Sequence, residues 1–307
     1  MFIRPQGEIS GVAMYVQRPN RVSTQAVMRH EAFHQFAHNF LGRTLPHTID
    51  EGIAQYFEKV IVVDGQVHAG LVNRHWLEGV QQMIEKDRVL PLDTLLHLSS
   101  TQWEGILRDH PELRGELYLQ AWSLVHFLVH GDDGHYREPF ENYLELISKG
   151  RQSRQALREA FGVDSLSAAE ESWRRFFAEL EPDPVMITQA HLLFLADGLL
   201  RLHDRRGHTP ETFDELRIAL RVLPHGQTYP FSPSVRVSYS AEDDRTFQYP
   251  VGEDEWRNFQ LLEPTEEGDP PAIVAPEARW RPTLVWSRDG HGNLVYDIEY
   301  HGERSRP

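Results

Sequence analysis

The chain has 307 residues, which is longer than a typical single domain and predicts two domains of ordinary size. Hydrophobic residues make up 40% of it and charged residues 25%, so the composition is globular and predicts neither disorder nor a membrane protein. The formal net charge of -15 does not favour a nucleic acid or an anionic membrane as partner, because binding phosphates requires clustered Lys and Arg. The sequence has no cysteine, which excludes disulfides, thiolate metal ligands and a cysteine nucleophile.

The first forty residues predict one strand and one long helix. The segment "EISGVAMYV" alternates well enough to form a strand. Ser23 and Thr24 are the predicted N-caps of a helix that runs to about Leu41 and stops at Gly42. The opening "MFIRPQGEIS" shows no basic region followed by an apolar one, so no signal peptide is predicted. The compartment is not assigned, and an extracytoplasmic location would require a truncated N-terminus.

Further along, the pattern becomes almost wholly helical. Thr48 is the predicted cap of a second helix, "IDEGIAQYFEK". Asp64 and Gly65 stand between two strand-like runs, which predicts a hairpin. From 73 to about 181, apolar residues recur at three- and four-residue spacing, as in a helical bundle.

The segment "EPDPV" at 181–185 is the predicted domain boundary, giving a mainly helical domain over 1–182 and a small α+β domain over 183–307. The overall fold class is therefore α+β. In the second domain we expect a helix over 186–203, a short capped helix in "GHTPETFDEL" and a terminal hairpin in "TLVWSRDGHGNLVYDIEY". The apolar run over 185–202 is interrupted by polar residues and predicts a soluble helix rather than a membrane span.

The order of elements in the second domain resembles the soluble heads of type II secretion pseudopilins. The apolar N-terminal half of the pseudopilin helix is missing, however. This domain shows no nucleophile triad, phosphate loop or ligand cluster. We therefore expect an accessory module, with a protein partner as its ligand.

The segment "RHEAFHQFAHNF" at 29–40 contains the motif HExxH. On a helix, His30 and His34 lie one turn apart on one face, so both imidazoles can reach one metal ion, typically zinc. Glu31 lies beside them, close enough to take a proton from a water molecule at the metal. With 17 histidines in the chain, the motif is only moderately specific, and a third ligand is needed.

Glu51, on the next helix, is in a position to supply that third ligand. Gly52 beside it would allow another helix to approach closely. An alternative is open, because Thr48 and Glu51 also spell a capping box, which would make Glu51 a helix-start residue without a metal. His38 is expected to be partly exposed or to support the ligands, and His47 to be a surface or packing residue.

The pair "HEAFH" and "DEGIAQYFE" resembles the gluzincin metallopeptidases (HExxH...E), and most closely the bacterial DUF1570 and peptidase-MA-like group. The segments "NRHWLEGVQQM", "LPLDTLLHL" and "YLQAWSLVHFLV" fit the same group, so the likeness covers about residues 8–181. The resemblance implies zinc bound by His30, His34 and Glu51, with Glu31 as the general base for peptide hydrolysis.

The resemblance also implies a group that stabilises the oxyanion, and Tyr118 occupies the corresponding place. His126 and His130 compete for that role, and a core tyrosine with its hydroxyl at the rim is the other interpretation of Tyr118. Two departures are visible. Gln55 stands where relatives carry an acid that orients a ligand histidine, which would weaken metal binding. Only 29 residues precede His30, so the substrate-aligning sheet is expected to be incomplete.

The sequence therefore predicts a zinc-dependent peptidase that acts on a peptide or protein substrate. One alternative is a zinc-binding pseudoenzyme or scaffold that keeps the ligands without hydrolysing anything. The other is a metal-free helical interaction protein in which Glu51 only caps its helix.

Overall fold

Two helices near the N-terminus carry the predicted metal ligands. The structure is a computed structural model that describes residues 2–3, 11–12, 20–42, 45–206, 210–221 and 259–302. Helix α1 spans Arg21–Phe40 and helix α2 spans His47–Glu58. Before them, Phe2–Ile3 (β1) and Gly11–Val12 (β2) pair antiparallel. The strand predicted over "EISGVAMYV" otherwise lies outside the described residues.

The N-caps predicted for the first two helices, Ser23 and Thr24 for one and Thr48 for the other, are wrong. The side chain of Asn20 accepts a hydrogen bond from the backbone N–H of Ser23 (3.0 Å), so α1 begins one turn earlier than Ser23 and Thr24 predict. Helix α2 begins at His47 with Pro46 in the capping position and no side-chain cap, so Thr48 lies inside the helix. The predicted stop at Gly42 is confirmed by its positive φ of 81°.

The chain divides into two compact units. The first contains Met1–Tyr15, Gln25–Val60 and Ala69–Pro182, so far as these are described. The second contains Val16–Thr24, Ile61–His68 and Asp183–Pro307, again so far as they are described. After α2, the first unit continues as a run of helices joined by short loops and two 3₁₀ turns, Pro111–Leu113 and Leu166–Ala169. The helices are Arg74–Glu85 (α3), Leu92–Leu96 (α4), Ser100–Asp109 (α5), Arg114–Gly134 (α6), Arg137–Ser148 (α7), Ser153–Phe161 (α8) and Glu170–Glu179 (α9).

Helix α6 is the centre of the first unit. It packs against α2, α3, α7 and α9 and is buried over most of its length. The core around it includes the fully buried rings of Trp122, Phe127, Tyr143, Trp173 and Phe177. Burial of such large apolar side chains is the main source of stability for a mainly helical unit. The mainly helical fold predicted for this part of the chain is confirmed.

The described part of the second unit combines two helices with small antiparallel sheets. The predicted hairpin forms, with Ile61–Val63 (β3) paired to Gln66–His68 (β4) and positive φ at Asp64 and Gly65. The helices are Pro184–Arg206 (α10) and Phe213–Arg221 (α11), and a four-stranded sheet has the order β5-β6-β7-β8. Its strands are Gln260–Leu262, Ala272–Val274, Thr283–Arg288 and Leu294–Glu299, and the last two form the predicted terminal hairpin.

Helix α10 is the one described helix that is long and apolar enough to cross a membrane by length and composition. Half of its apolar window, Pro184–Asp204, is buried within the structure. Leu192, Leu195 and Leu199 pack into a core with residues of the sheet, and α10 contacts both β7 and β8. This packing is typical of the core helix of a globular unit and favours the prediction made from its sequence.

Candidate metal centre

The three predicted ligands converge between α1 and α2. His30 and His34 are one turn apart on α1, and Glu51 faces them from α2. Glu51 Oε2 lies 3.4 Å from His30 Nε2 and 3.7 Å from His34 Nε2, and the two Nε2 atoms are 3.0 Å apart. All three ligand atoms lie within 4.8 Å of one another. This group could hold a metal ion, because two imidazoles and a carboxylate are a donor set used for zinc.

Burial supports the fit of a cation to this group. His30 is 4% exposed and Glu51 is 7% exposed. Glu51 Oε2 is buried and accepts no hydrogen bond from the described residues, although it is the oxygen that faces both histidines. A buried carboxylate oxygen without a hydrogen-bond donor is costly unless a positive charge neutralises it.

Close packing of α2 against α6 fixes the position of Glu51, the residue before Gly52. A side chain at Gly52 would overlap the backbone carbonyl oxygen of Ala121 and would lie 2.7 Å from Val125 Cγ2. Only glycine therefore lets α2 lie this close to α6. The close approach expected at Gly52 is confirmed.

Each ligand also contacts a further polar side chain. His30 Nδ1 lies 2.7 Å from Glu58 Oε1, and His34 Nδ1 lies 3.1 Å from Asp50 Oδ1. His47 Nε2 lies 3.5 Å from the other oxygen of Glu51, Oε1. The atoms of the ligands that point away from the centre are thus occupied.

The carboxylates shift the protonation of the two histidines strongly. Burial alone would lower the pKa of His30, but Glu51 and Glu58 outweigh it and raise the pKa to about 9. Likewise burial opposes the charge on His34, while Asp50 and Glu51 raise its pKa to about 10. Burial would raise the pKa of Glu51, but the two histidines lower it to about 2. Without a metal, protons therefore provide the positive charge at this centre.

The predicted catalytic residues Glu31 and Tyr118 lie close to the centre. Glu31 is 5% exposed and follows His30 on α1. The pKa of the half-buried Tyr118 is raised, first by burial and then by the charge of Glu51, with a smaller effect of Glu31. The phenol therefore stays protonated and keeps its O–H as a hydrogen-bond donor. Trp103 of α5 supports it, with its ring edge-on to Tyr118 at 5.4 Å between centroids.

The other predicted histidines have different surroundings. His126 is buried among aromatic rings, including those of Trp122 and Phe177, and burial followed by the charge of His130 lowers its pKa to about 3. His130 Nε2 shares a hydrogen bond with the hydroxyl of Tyr56 at 2.9 Å. A neutral histidine packed in the core is poorly suited to stabilising an oxyanion. His38 is partly exposed, as expected.

The capping box proposed as the alternative role of Glu51 is absent. The hydroxyl of Thr48 donates instead to the backbone carbonyl of Leu95 at 2.6 Å, which ties α2 to α4. The side chain of Gln55 donates to the carbonyl oxygen of Tyr118 at 2.7 Å, which ties α2 to α6. The carboxylate of Glu51 is therefore left to face the histidines.

Three residues at the centre were not predicted from sequence to act there. Glu58 lies seven residues after Glu51, a spacing that returns to the same helix face, so its position was readable. His47 lies one turn before Glu51 and was assigned to the surface or to packing. Asp50 gave no separate signal, because acidic residues are common at the first turn of a helix.

Comparison with known proteins supports one part of the resemblance. A family model described as "Protein of unknown function (DUF1570)" matches residues 24–151. This segment contains Tyr118 and nearly all of both helices of the centre. The match supports the resemblance to the DUF1570 group over residues 24–151, a shorter range than the 8–181 expected from the sequence. No curated protein and no solved structure matches the chain significantly.

Proposed function

We propose that this chain is a zinc-dependent peptidase whose metal is held by His30, His34 and Glu51. The observation that carries the proposal is the convergence of two Nε2 atoms and a buried carboxylate oxygen within 4.8 Å of one another. Three protein ligands that leave a fourth position open are typical of catalytic rather than structural zinc. The gluzincin-like order of the motifs along the chain supports the same assignment.

The surrounding residues supply the remaining functions of a hydrolase. Zinc bound here would lower the pKa of a water molecule and polarise the scissile carbonyl. Glu31 accepts the proton of the attacking water and passes it to the leaving amine. Tyr118 donates a hydrogen bond to the developing oxyanion, which its raised pKa and intact O–H allow. The substrate is a peptide or protein, and the second unit serves as an accessory module for a protein partner.

One contact favours the alternative of a metal-binding protein without hydrolytic activity. His47 Nε2 lies 3.5 Å from Glu51 Oε1 and brings a third imidazole to the edge of the centre. Rotation of this side chain toward the metal would complete four protein ligands, and closed four-ligand sites are structural. The His47→Ala variant separates the two functions. It removes a metal ligand, and so weakens zinc binding, only if His47 closes the site as a fourth ligand.

The test is metal analysis combined with peptide cleavage. We expect one zinc per chain in the wild type and in Glu31→Gln, and none in Glu51→Ala. Glu31→Gln keeps the shape of the side chain and removes only the base, so kcat should fall by a factor of about 10² to 10⁴. Absence of stoichiometric metal from the wild type would refute the proposal. Zinc in both proteins without cleavage of any peptide in a broad library supports the non-hydrolytic alternative.

A further inference from the structure

Glu58 is a buried carboxylate at the metal centre to which the peptidase proposal gives no role. It lies seven residues after Glu51, and 700° of rotation returns it to within about 20° of the same face of α2. Glu58 is 4% exposed. A buried acid is retained at low cost only where a partner satisfies it.

That partner is His30. The Oε1 atom of Glu58 lies 2.7 Å from His30 Nδ1, a distance typical of a charge-assisted hydrogen bond. A carboxylate oxygen accepts hydrogen bonds and an imidazole N–H donates them, so this contact places a proton on Nδ1. The lone pair available for a metal is then on Nε2, the atom that faces His34 and Glu51.

The backbone at Glu58 is held by the residue next to His30. Arg29 donates from Nη2 to the carbonyl oxygen of Glu58 at 2.9 Å and from Nε to that of Phe57 at 3.1 Å. These two carbonyls belong to the last turn of α2, where a cation is favoured by the helix dipole. Neighbouring residues of α1 thus hold Glu58 by its backbone and by its side chain.

Other polar side chains of α2 are used elsewhere or are less enclosed. The amide of Gln55 is bonded to the carbonyl of Tyr118 on α6. Asp50 lies 3.1 Å from His34 Nδ1, but its side chain is 26% exposed against 4% for that of Glu58. Water competes for Asp50 much more than for Glu58.

We propose that Glu58 is a positioning residue that fixes the tautomer and ring orientation of His30, so that Nε2 is presented to the metal. The proposal rests on the proposed zinc site. It extends that site to a second carboxylate on the same helix face, which acts through His30 and does not touch the metal.

The first test uses the full chain without metal, labelled with ¹⁵N at histidine. We expect a slowly exchanging Nδ1–H resonance for His30, assigned with a His30→Ala variant. It should weaken in Glu58→Gln, which keeps an uncharged acceptor, and disappear in Glu58→Ala. The resonance should persist in Gln55→Ala and in the charge-matched control Glu141→Gln, whose glutamate is exposed on α7. An Nδ1–H signal that is unchanged in Glu58→Ala overturns the proposal.

The second test measures zinc affinity by competition with a chromophoric chelator. Loss of a carboxylate that supports a ligand histidine weakens metal binding by about 10- to 100-fold, so we expect this range for Glu58→Ala and its lower end for Glu58→Gln. Glu141→Gln should bind like the wild type. Wild-type zinc binding with equal affinity in both Glu58 variants overturns this proposal alone. Absence of zinc from the wild type overturns the peptidase proposal, and with it the metal-directed role of Glu58.

Discussion

Metal binding to this centre should release a proton near neutral pH. The pKa values of His30 and His34 are raised to about 9 and 10, so the metal-free pair holds protons at pH 7. Both Nδ1 atoms face carboxylates. The two Nε2 atoms are hydrogen-bonded to each other at 3.0 Å, so one of them must be the acceptor, and the pair shares one further proton rather than the two that the separate pKa values would give. A metal ion must displace that proton to reach the Nε2 lone pairs.

The size of the pH effect on zinc affinity follows from the release of one proton per metal ion bound. Zinc affinity should fall about tenfold, or about 1.4 kcal/mol, for each unit by which the pH is lowered between 8 and 6. Titration calorimetry in two buffers with different ionisation enthalpies measures the released proton directly, and chelator competition at several pH values measures the slope. Equal heats in both buffers, together with a pH-independent affinity, would refute the assignment of the Nε2 atoms as ligands.

Three further outcomes are expected. Gly52→Ala should lower the free energy of unfolding, measured in denaturant titrations, by about 1–3 kcal/mol. The overlap of the new methyl group with the Ala121 carbonyl outweighs a gain in helix propensity of about 1 kcal/mol. An unchanged free energy of unfolding would contradict the close packing of α2 against α6. Thr48→Val should lower the free energy of unfolding by about 1 kcal/mol, because the hydrogen bond to the Leu95 carbonyl is lost, and should leave zinc affinity unchanged. A large loss of zinc affinity would contradict the assignment of Thr48 to packing and not to the metal centre. The metal-free protein should lose stability as the pH rises from 7 to 10 in thermal unfolding, since a histidine pKa raised above 6.5 contributes stability at low pH that disappears as the pH passes the folded value.

Local patterns predicted most of the helical unit and the residues that converge between α1 and α2. The four-residue spacing of His30 and His34 fixes their common face wherever a helix forms, so this part depends on no tertiary contact. The Asp64-Gly65 turn was readable for the same reason, since its positive φ values are set by the residues themselves. Helix α5 was not singled out, although Ser99 and Gln102 form a capping box that its sequence displays.

Contacts between helices decided what the sequence left open. Thr48 and Glu51 satisfy the spacing of a capping box, and nothing local excludes it. The box is absent because Thr48 finds the Leu95 carbonyl on α4, a partner 47 residues away. Gln55 stands where relatives carry an acid that orients a ligand histidine, but its amide donates to the Tyr118 carbonyl on α6. Such partners depend on how helices pack, which spacing within one helix does not report.

The charge around the centre links the metal to the stability of the fold. Glu31, Glu51 and Glu58 are buried and Asp50 is partly buried, so four carboxylates surround two histidines. Uncompensated, such a group would cost several kcal/mol in desolvation and repulsion. Protons on the histidines offset that cost in the metal-free protein, and a divalent cation replaces them at higher pH. The metal should therefore stabilise the folded chain most at alkaline pH, where the protons have left, in the same range in which its affinity is highest.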